Sequence, residues 1–303
     1  MDRALLALEG LSVGDAFGER FFVSPTVVDQ LITTRALPRA PWMTTDDTEM
    51  AVAMTDVLER AGRIDQDLLA RAFARRYDHD PRRGYGGGAH AILRSICMGV
   101  AWREAAAAAF NGMGSLGNGG AMRAAPLGAY FADDLATLVR EARASAEVTH
   151  AHPEGQAGAI AAAVATAFAW RRRHDPSSLG GASLLSFVLD HTPDGETRAV
   201  IAQAHALPEG ASVALAASAL GTGNQVTAMD TVPFALWCAA RCLDHYEDAL
   251  WTTVSGLGDR DTTCAIVGGI VALSTGSGAI PAEWLAAREP LRRDPTLPAS
   301  ARA

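Results

Sequence analysis

Two acidic clusters far apart in the chain hold the residue types best suited to chemistry. One is Thr44-Thr45-Asp46-Asp47-Thr48; the other is Gly258-Asp259-Arg260-Asp261-Thr262-Thr263. Each sets carboxylates beside hydroxyls, the oxygen donors that hard divalent cations prefer. Each also precedes an apolar run, so helix capping is the plain alternative: a Thr or Asp at the N-cap and acids in the first turn. A cap needs one acceptor, however, and both clusters carry more. Four carboxylates at one point would repel each other unless cations lay between them. If the chain folds so that the clusters meet, a site for two cations follows.

Two further segments could complete such a site. Gly114-Ser115-Leu116-Gly117-Asn118-Gly119-Gly120-Ala121-Met122-Arg123 is a glycine loop without the Gly-Lys-Ser/Thr of a P-loop. Its free amides suit an anion or a diphosphate, although a flexible surface loop reads the same way. Arg123 could meet a phosphate or pair with a structural acid. Thr149-His150-Ala151-His152 puts two imidazoles before a helix. Beside oxygen-rich clusters, His150 fits a pocket wall or hydrogen-bond donor better than a metal ligand.

Helices must carry these residues. The 303-residue chain is 49% hydrophobic and 20% charged, enough for a large core. Alanine and leucine dominate, and apolar residues recur at helical spacing over 50–61, 67–77, 135–148, 155–172, 199–206, 232–245 and 244–254. A further helix of small residues follows Asp261, and the mid-helix pair Gly268-Gly269 implies that another backbone packs there. No hairpin or alternating strand pattern stands out. The expected class is all-α, one domain over 1–288 with a loosely held tail over 289–303. Glycine-rich loops at 84–88, 112–120 and 221–223 punctuate it.

The net charge of -8 argues against a nucleic-acid surface. The longest apolar stretch, 157–170, is too short to span a bilayer, and no secretory signal pattern is visible, so no membrane contact and a cytoplasmic location are expected. Cys97, Cys238, Cys242 and Cys264 read as reduced core residues.

The motifs resemble, in order and spacing, those of the ADP-ribosylglycohydrolase family, the group typified by the dinitrogenase-reductase-activating glycohydrolase. The resemblance runs over about the whole chain, from Gly10 to near Gly278. It rests on Gly14-Asp15-Ala16-Phe17-Gly18, Thr45-Asp46-Asp47-Thr48, Gly117-Asn118-Gly119-Gly120-Ala121-Met122-Arg123, Thr149-His150 and Gly258-Asp259-Arg260-Asp261-Thr262. It implies an orthogonal helix bundle with two magnesium or manganese ions. Thr45, Asp46, Asp47, Asp259, Asp261 and Thr262 then look like the ligands. Gly114, Ser115, Gly117, Asn118, Gly119, Gly120 and Met122 look like the diphosphate and ribose segment, His150 like a pocket histidine, and Tyr85 and Gly86 like a further loop.

The implied reaction is hydrolysis of the glycosidic bond joining ADP-ribose to a protein side chain, arginine favoured and serine open, or to a small molecule. Asp47 or Asp261 would be the base. Binding of ADP-ribose without turnover and metal-dependent nucleotide phosphohydrolysis are the competing readings. One departure stands out. Family members often carry a glutamate four residues after the second glycine of Gly-Asp-x-x-Gly, and here that position is Phe22. Either Glu19 takes that role or it is a solvated loop carboxylate. Phe21-Phe22 could form a lid or an adenine wall. For an arginine adduct, Asp15, Glu19 and Asp230 are the acids that could hold the guanidinium.

Overall fold

The computed structural model describes residues 1–293. Its elements are α1 (Asp2–Glu19), α2 (Pro25–Thr34), α3 (Asp46–Ala61), α4 (Gln66–His79), α5 (Gly87–Cys97), α6 (Trp102–Ala108), α7 (Ala125–Tyr130) and α8 (Leu135–Glu147). There follow α9 (Pro153–His174), α10 (Leu184–His191), α11 (Glu196–Ala206), α12 (Val213–Leu220), α13 (Ala228–Arg241), α14 (Tyr246–Val254), α15 (Arg260–Thr275) and α16 (Ala282–Ala287). Among the described residues there is no β-strand, only two isolated bridges. The all-α expectation is met.

The expected helices are present, with shifted ends. The start of α13 lies four residues before the expected Val232, because the Thr227 hydroxyl caps it by accepting from the Asp230 amide. The overlapping pair at 232–254 divides at Cys242 to His245 into α13 and α14. The largest omission is α1. Residues on every side of it are buried, so it shows no amphipathic period for a sequence reading to find.

The centre of the bundle is the antiparallel pair α1 and α15. Gly10, Gly14 and Gly18 recur every four residues on one face of α1 and meet the backbone of α15. A Cβ on Gly14 would lie 2.7 Å from the Cys264 carbonyl carbon, one on Gly18 2.6 Å from that of Arg260, and one on Gly10 3.1 Å from that of Gly268. The close approach expected at Gly268 is thus supplied by Gly10. Larger residues would hold the helices apart. Helix α9, alanine-rich and buried along most of its length, packs on α7, α8, α13 and α15. At the other end Phe17 stacks on Trp284, with centroids 4.6 Å apart, and meets Trp42 and Trp251 edge-on or tilted.

Cys238 and Cys264 are buried and free as expected; Cys97, expected in the core, is exposed. Much of the supposed tail lies outside the described residues, but its first part is tied down. Glu289 accepts from the amide and hydroxyl of Thr44, each at 2.8 Å, and pairs with Arg83. Arg293 pairs with Asp56 and Glu59 of α3, each at 2.6 Å. Among the described residues no helix is long and apolar enough to cross a membrane.

Candidate active site

The two acidic clusters meet. Helix α3 begins at the first and α15 at the second, and their N-termini converge on one cavity. The Thr262 hydroxyl lies 3.4 Å from Oδ1 of Asp47, bridging the clusters. Capping does not explain the aspartates. The cap of α3 is Thr45, whose hydroxyl accepts from the Asp47 amide, and Asp259 stands at the N-cap of α15 without a side-chain capping bond. Asp46, Asp47, Asp259, Asp261 and Thr262 all line the cavity, at the positive ends of two helix dipoles.

Asp15 joins α1 to this arrangement. Its fully buried carboxylate accepts from the amide and hydroxyl of Thr45 and from the amide and hydroxyl of Thr48. The glycine pair flanking Asp15 seats α15 against α1, and the carboxylate seats α3. One short motif therefore aligns both acid-bearing helix starts. Asp15 is not free to meet a substrate guanidinium at the mouth, contrary to the expectation. Asp230 is also engaged, by the Gln225 amide at 2.7 Å.

The electrostatics are severe. Burial, then Asp15 and Asp259, push Asp46 up to about 8 against a weaker opposing pull from Arg123. Burial and the neighbouring carboxylates push Asp47 and Asp261 well above the usual range, and burial pushes Asp15 to about 6. Oδ2 of Asp47 and Oδ1 of Asp261 are buried without a hydrogen-bond partner among the described residues. Among the described residues no three His, Cys, Asp or Glu side chains already close into a cation cage. Yet orphaned carboxylate oxygens, mutual repulsion and adjacent hydroxyls form a donor set suited to hard cations.

The cavity, about 550 Å³, is walled by two of the glycine loops and by the segment that follows the third. Gly86 to Gly88 form one side, Gly114, Ser115, Gly117 and Gly119 another, and Gln225 to Thr227 a third. The last two are stitched together: the Asn118 amide donates to the Val226 carbonyl and the Ala228 amide to that of Leu116. Asn118, expected in the substrate segment, lines the cavity and turns its side-chain amide toward the acids. Its Nδ2 donates to Asp259 at 2.7 Å and to Thr231 at 3.0 Å. Met122 and His150 line the cavity as expected. Phe110 and Met113, which no sequence signal marked, line it too.

Four expected residues stand outside the wall. Thr45 donates its hydroxyl to Asp15 at 2.8 Å. Gly120 packs toward Ala146 and Ala159. Tyr85 is buried against Tyr77 and His90. Glu19 is half-buried beside the cluster, its carboxyl raised by burial and by Asp15. The Phe21-Phe22 pair divides. Phe21 is core, edge-on to Phe17, whereas Phe22 is 49% exposed with the Arg260 guanidinium 4.8 Å above its ring. Arg123 meets no acid directly; it is held by the Gly119 and Ser145 carbonyls and the Thr149 hydroxyl.

Known proteins resemble this chain. A sequence profile described as ADP-ribosylglycohydrolase matches residues 1–301. Human "ADP-ribosylhydrolase ARH3" is 30% identical over 272 residues, covering 79% of this chain and 73% of that protein. "ADP-ribosylarginine hydrolase Tri1" of Serratia proteamaculans is 24% identical over 307 residues, 94% of this chain and 75% of that one. A solved structure titled "ADP-ribosylglycohydrolase-related protein complex" superposes with a TM-score of 0.66 at 25% identity, covering 95% of this chain and 92% of its own. With the profile spanning nearly every residue, and the acid-bearing helix starts meeting in one cavity, the chain belongs to the ADP-ribosylglycohydrolase family.

Proposed function

We propose that the protein is a divalent-cation-dependent hydrolase that cleaves the glycosidic bond between ADP-ribose and a protein side chain or a small leaving group. The observation that carries this reading is the meeting of Asp46, Asp47, Asp259, Asp261 and Thr262 at one cavity, with two buried carboxylate oxygens left unpartnered. Asp46, Asp47, Asp259, Asp261 and the Thr262 hydroxyl would hold two cations, magnesium or manganese, while the Thr45 hydroxyl, expected among the ligands, is taken up by Asp15. When bound, such ions supply charge stabilisation and a more acidic water.

The protein's own groups do the rest. The glycine-loop amides and His150 bind the diphosphate and so hold the anomeric carbon over the acids. Asp47 or Asp261, each with a free oxygen, takes the proton of the attacking water. The negative cluster favours the oxocarbenium-like transition state. Of the three acids that could steady a leaving guanidinium, Asp15 and Asp230 are engaged elsewhere, which leaves Glu19. The Arg260 guanidinium over Phe22 adds positive charge beside that segment.

The test is incubation with ADP-ribosyl-arginine and ADP-ribosyl-serine peptides, with and without chelator, followed by mass spectrometry. Free ADP-ribose released only with cation is the expected result. Retention without release would identify a binding protein, and release of AMP or phosphate a phosphohydrolase; either overturns the proposal.

A further inference from the structure

Arg123 is an anomaly among the site residues. It is 0% exposed, yet among the described residues no carboxylate lies within ion-pair distance of it. Its guanidinium lies 4.5 Å over the Phe73 ring and donates to the Gly119 carbonyl at 2.9 Å and the Ser145 carbonyl at 3.1 Å. It also donates to the Met50 sulfur at 3.7 Å and to the Thr149 hydroxyl at 2.9 Å. That hydroxyl lies 2.8 Å from Nδ1 of His150. The opposite ring nitrogen, Nε2, has no partner among the described residues and faces the glycine loop, 3.3 Å and 3.2 Å from where Cβ atoms on Gly117 and Gly119 would lie.

The direction of the chain follows from the donor inventory. A guanidinium only donates, so the Thr149 oxygen accepts from Arg123. The buried hydroxyl hydrogen then has one acceptor in reach, Nδ1 of His150; turned the other way, it would be left unsatisfied. With Nδ1 accepting, the neutral ring carries its hydrogen on Nε2. Burial, together with the nearby Arg123 charge, holds the ring neutral by lowering its pKa to about 3.

We infer that Arg123 is a positioning residue: acting through Thr149, it fixes His150 as the Nε2–H tautomer, which presents a permanent neutral donor to an acceptor oxygen of the ligand at the glycine loop. The identity of that ligand rests on the function proposed above; the tautomer does not. A donor fixed in this way need not rotate or protonate when the ligand arrives, so the interaction is preorganised. The same guanidinium holds the Gly119 carbonyl, so the ring and the loop it faces share one anchor.

Nitrogen-15 NMR of the ligand-free protein labelled at histidine reads the tautomer. The expected pattern for His150 is a protonated Nε2 and an unprotonated Nδ1, unchanged between pH 6 and pH 8. Thr149→Val should abolish that preference and weaken ADP-ribose binding about tenfold, as expected for loss of about 1.4 kcal/mol. Thr149→Ser should restore both. A protonated Nδ1 in the wild type, or wild-type affinity in a Thr149→Val protein whose tautomer has changed, overturns the inference. Should Thr149→Val fail to fold, the wild-type nitrogen pattern still decides. A wild-type protein that ignores ADP-ribose would instead defeat the functional reading, and the relay would stand or fall on the tautomer alone.

Discussion

Asp47 and Asp261 carry opposite burdens for stability and for reaction. Each is buried with an orphaned oxygen and repelled by its neighbours. Asp47→Asn or Asp261→Asn should therefore raise the melting temperature of chelated protein, by the equivalent of about 1–3 kcal/mol. The same changes should cut ADP-ribose release by about a thousandfold or more. Calorimetry with chelator, alongside product assays with cation, checks both signs. His150 makes the converse case for pH. Its folded pKa, near 3, lies below the ordinary value of roughly 6.5. Its contribution to stability is full above that ordinary value and declines as pH falls toward 3. Relative to wild type, His150→Gln should show a shallower loss of melting temperature between pH 7 and pH 4.

Among the elements, the α1–α15 contact sets where the acids meet. Gly14→Ala would drive a methyl group into the Cys264 carbonyl and part the two helices. The expected cost is about 1–3 kcal/mol, together with weaker cation binding, because Asp15 and Asp261 move apart. Titration calorimetry with manganese reads the second effect separately from the first. The segment after α16 acts from the opposite side. Glu289 fixes Thr44 and Arg83, and the Arg83 carbonyl accepts from the Asp46 amide at 2.6 Å. Glu289→Ala should cost about 1–3 kcal/mol and lower cation affinity, with little change in ADP-ribose affinity. An equal loss in both affinities would assign Glu289 a general structural role instead.

At the scale of the whole molecule, the proposed binding at the junction of three helices would tie stability to the ligand. Divalent cation should raise the melting temperature of the wild type, with the rise growing with cation concentration, and chelator should reverse it. The choice of leaving group is tested at Glu19, the acid that α1 brings beside the cluster. Glu19→Gln should reduce turnover of an ADP-ribosyl-arginine peptide more than that of a serine peptide, as read by parallel kcat/KM measurements. Equal losses would mean that Glu19 does not touch the guanidinium.

The helical class, the two acidic helix starts, the glycine loop and His150 were all legible in the sequence, because residue type and local spacing determine helix formation, capping and donor chemistry. Helix α1 was not, since burial on all sides removes the period that marks an amphipathic helix. Asp15 reads as an acid available to substrate until its partners Thr45 and Thr48 come into reach, and Asn118, which lines the cavity, also reaches Asp259 across 141 positions. Glu289 meets Thr44 across 245 positions, a pairing with no local trace. Local composition decides what each segment can donate or accept; only close packing of α1 against α15 decides which groups face one another, and hence which carboxylates are satisfied and which are left without a hydrogen-bond partner.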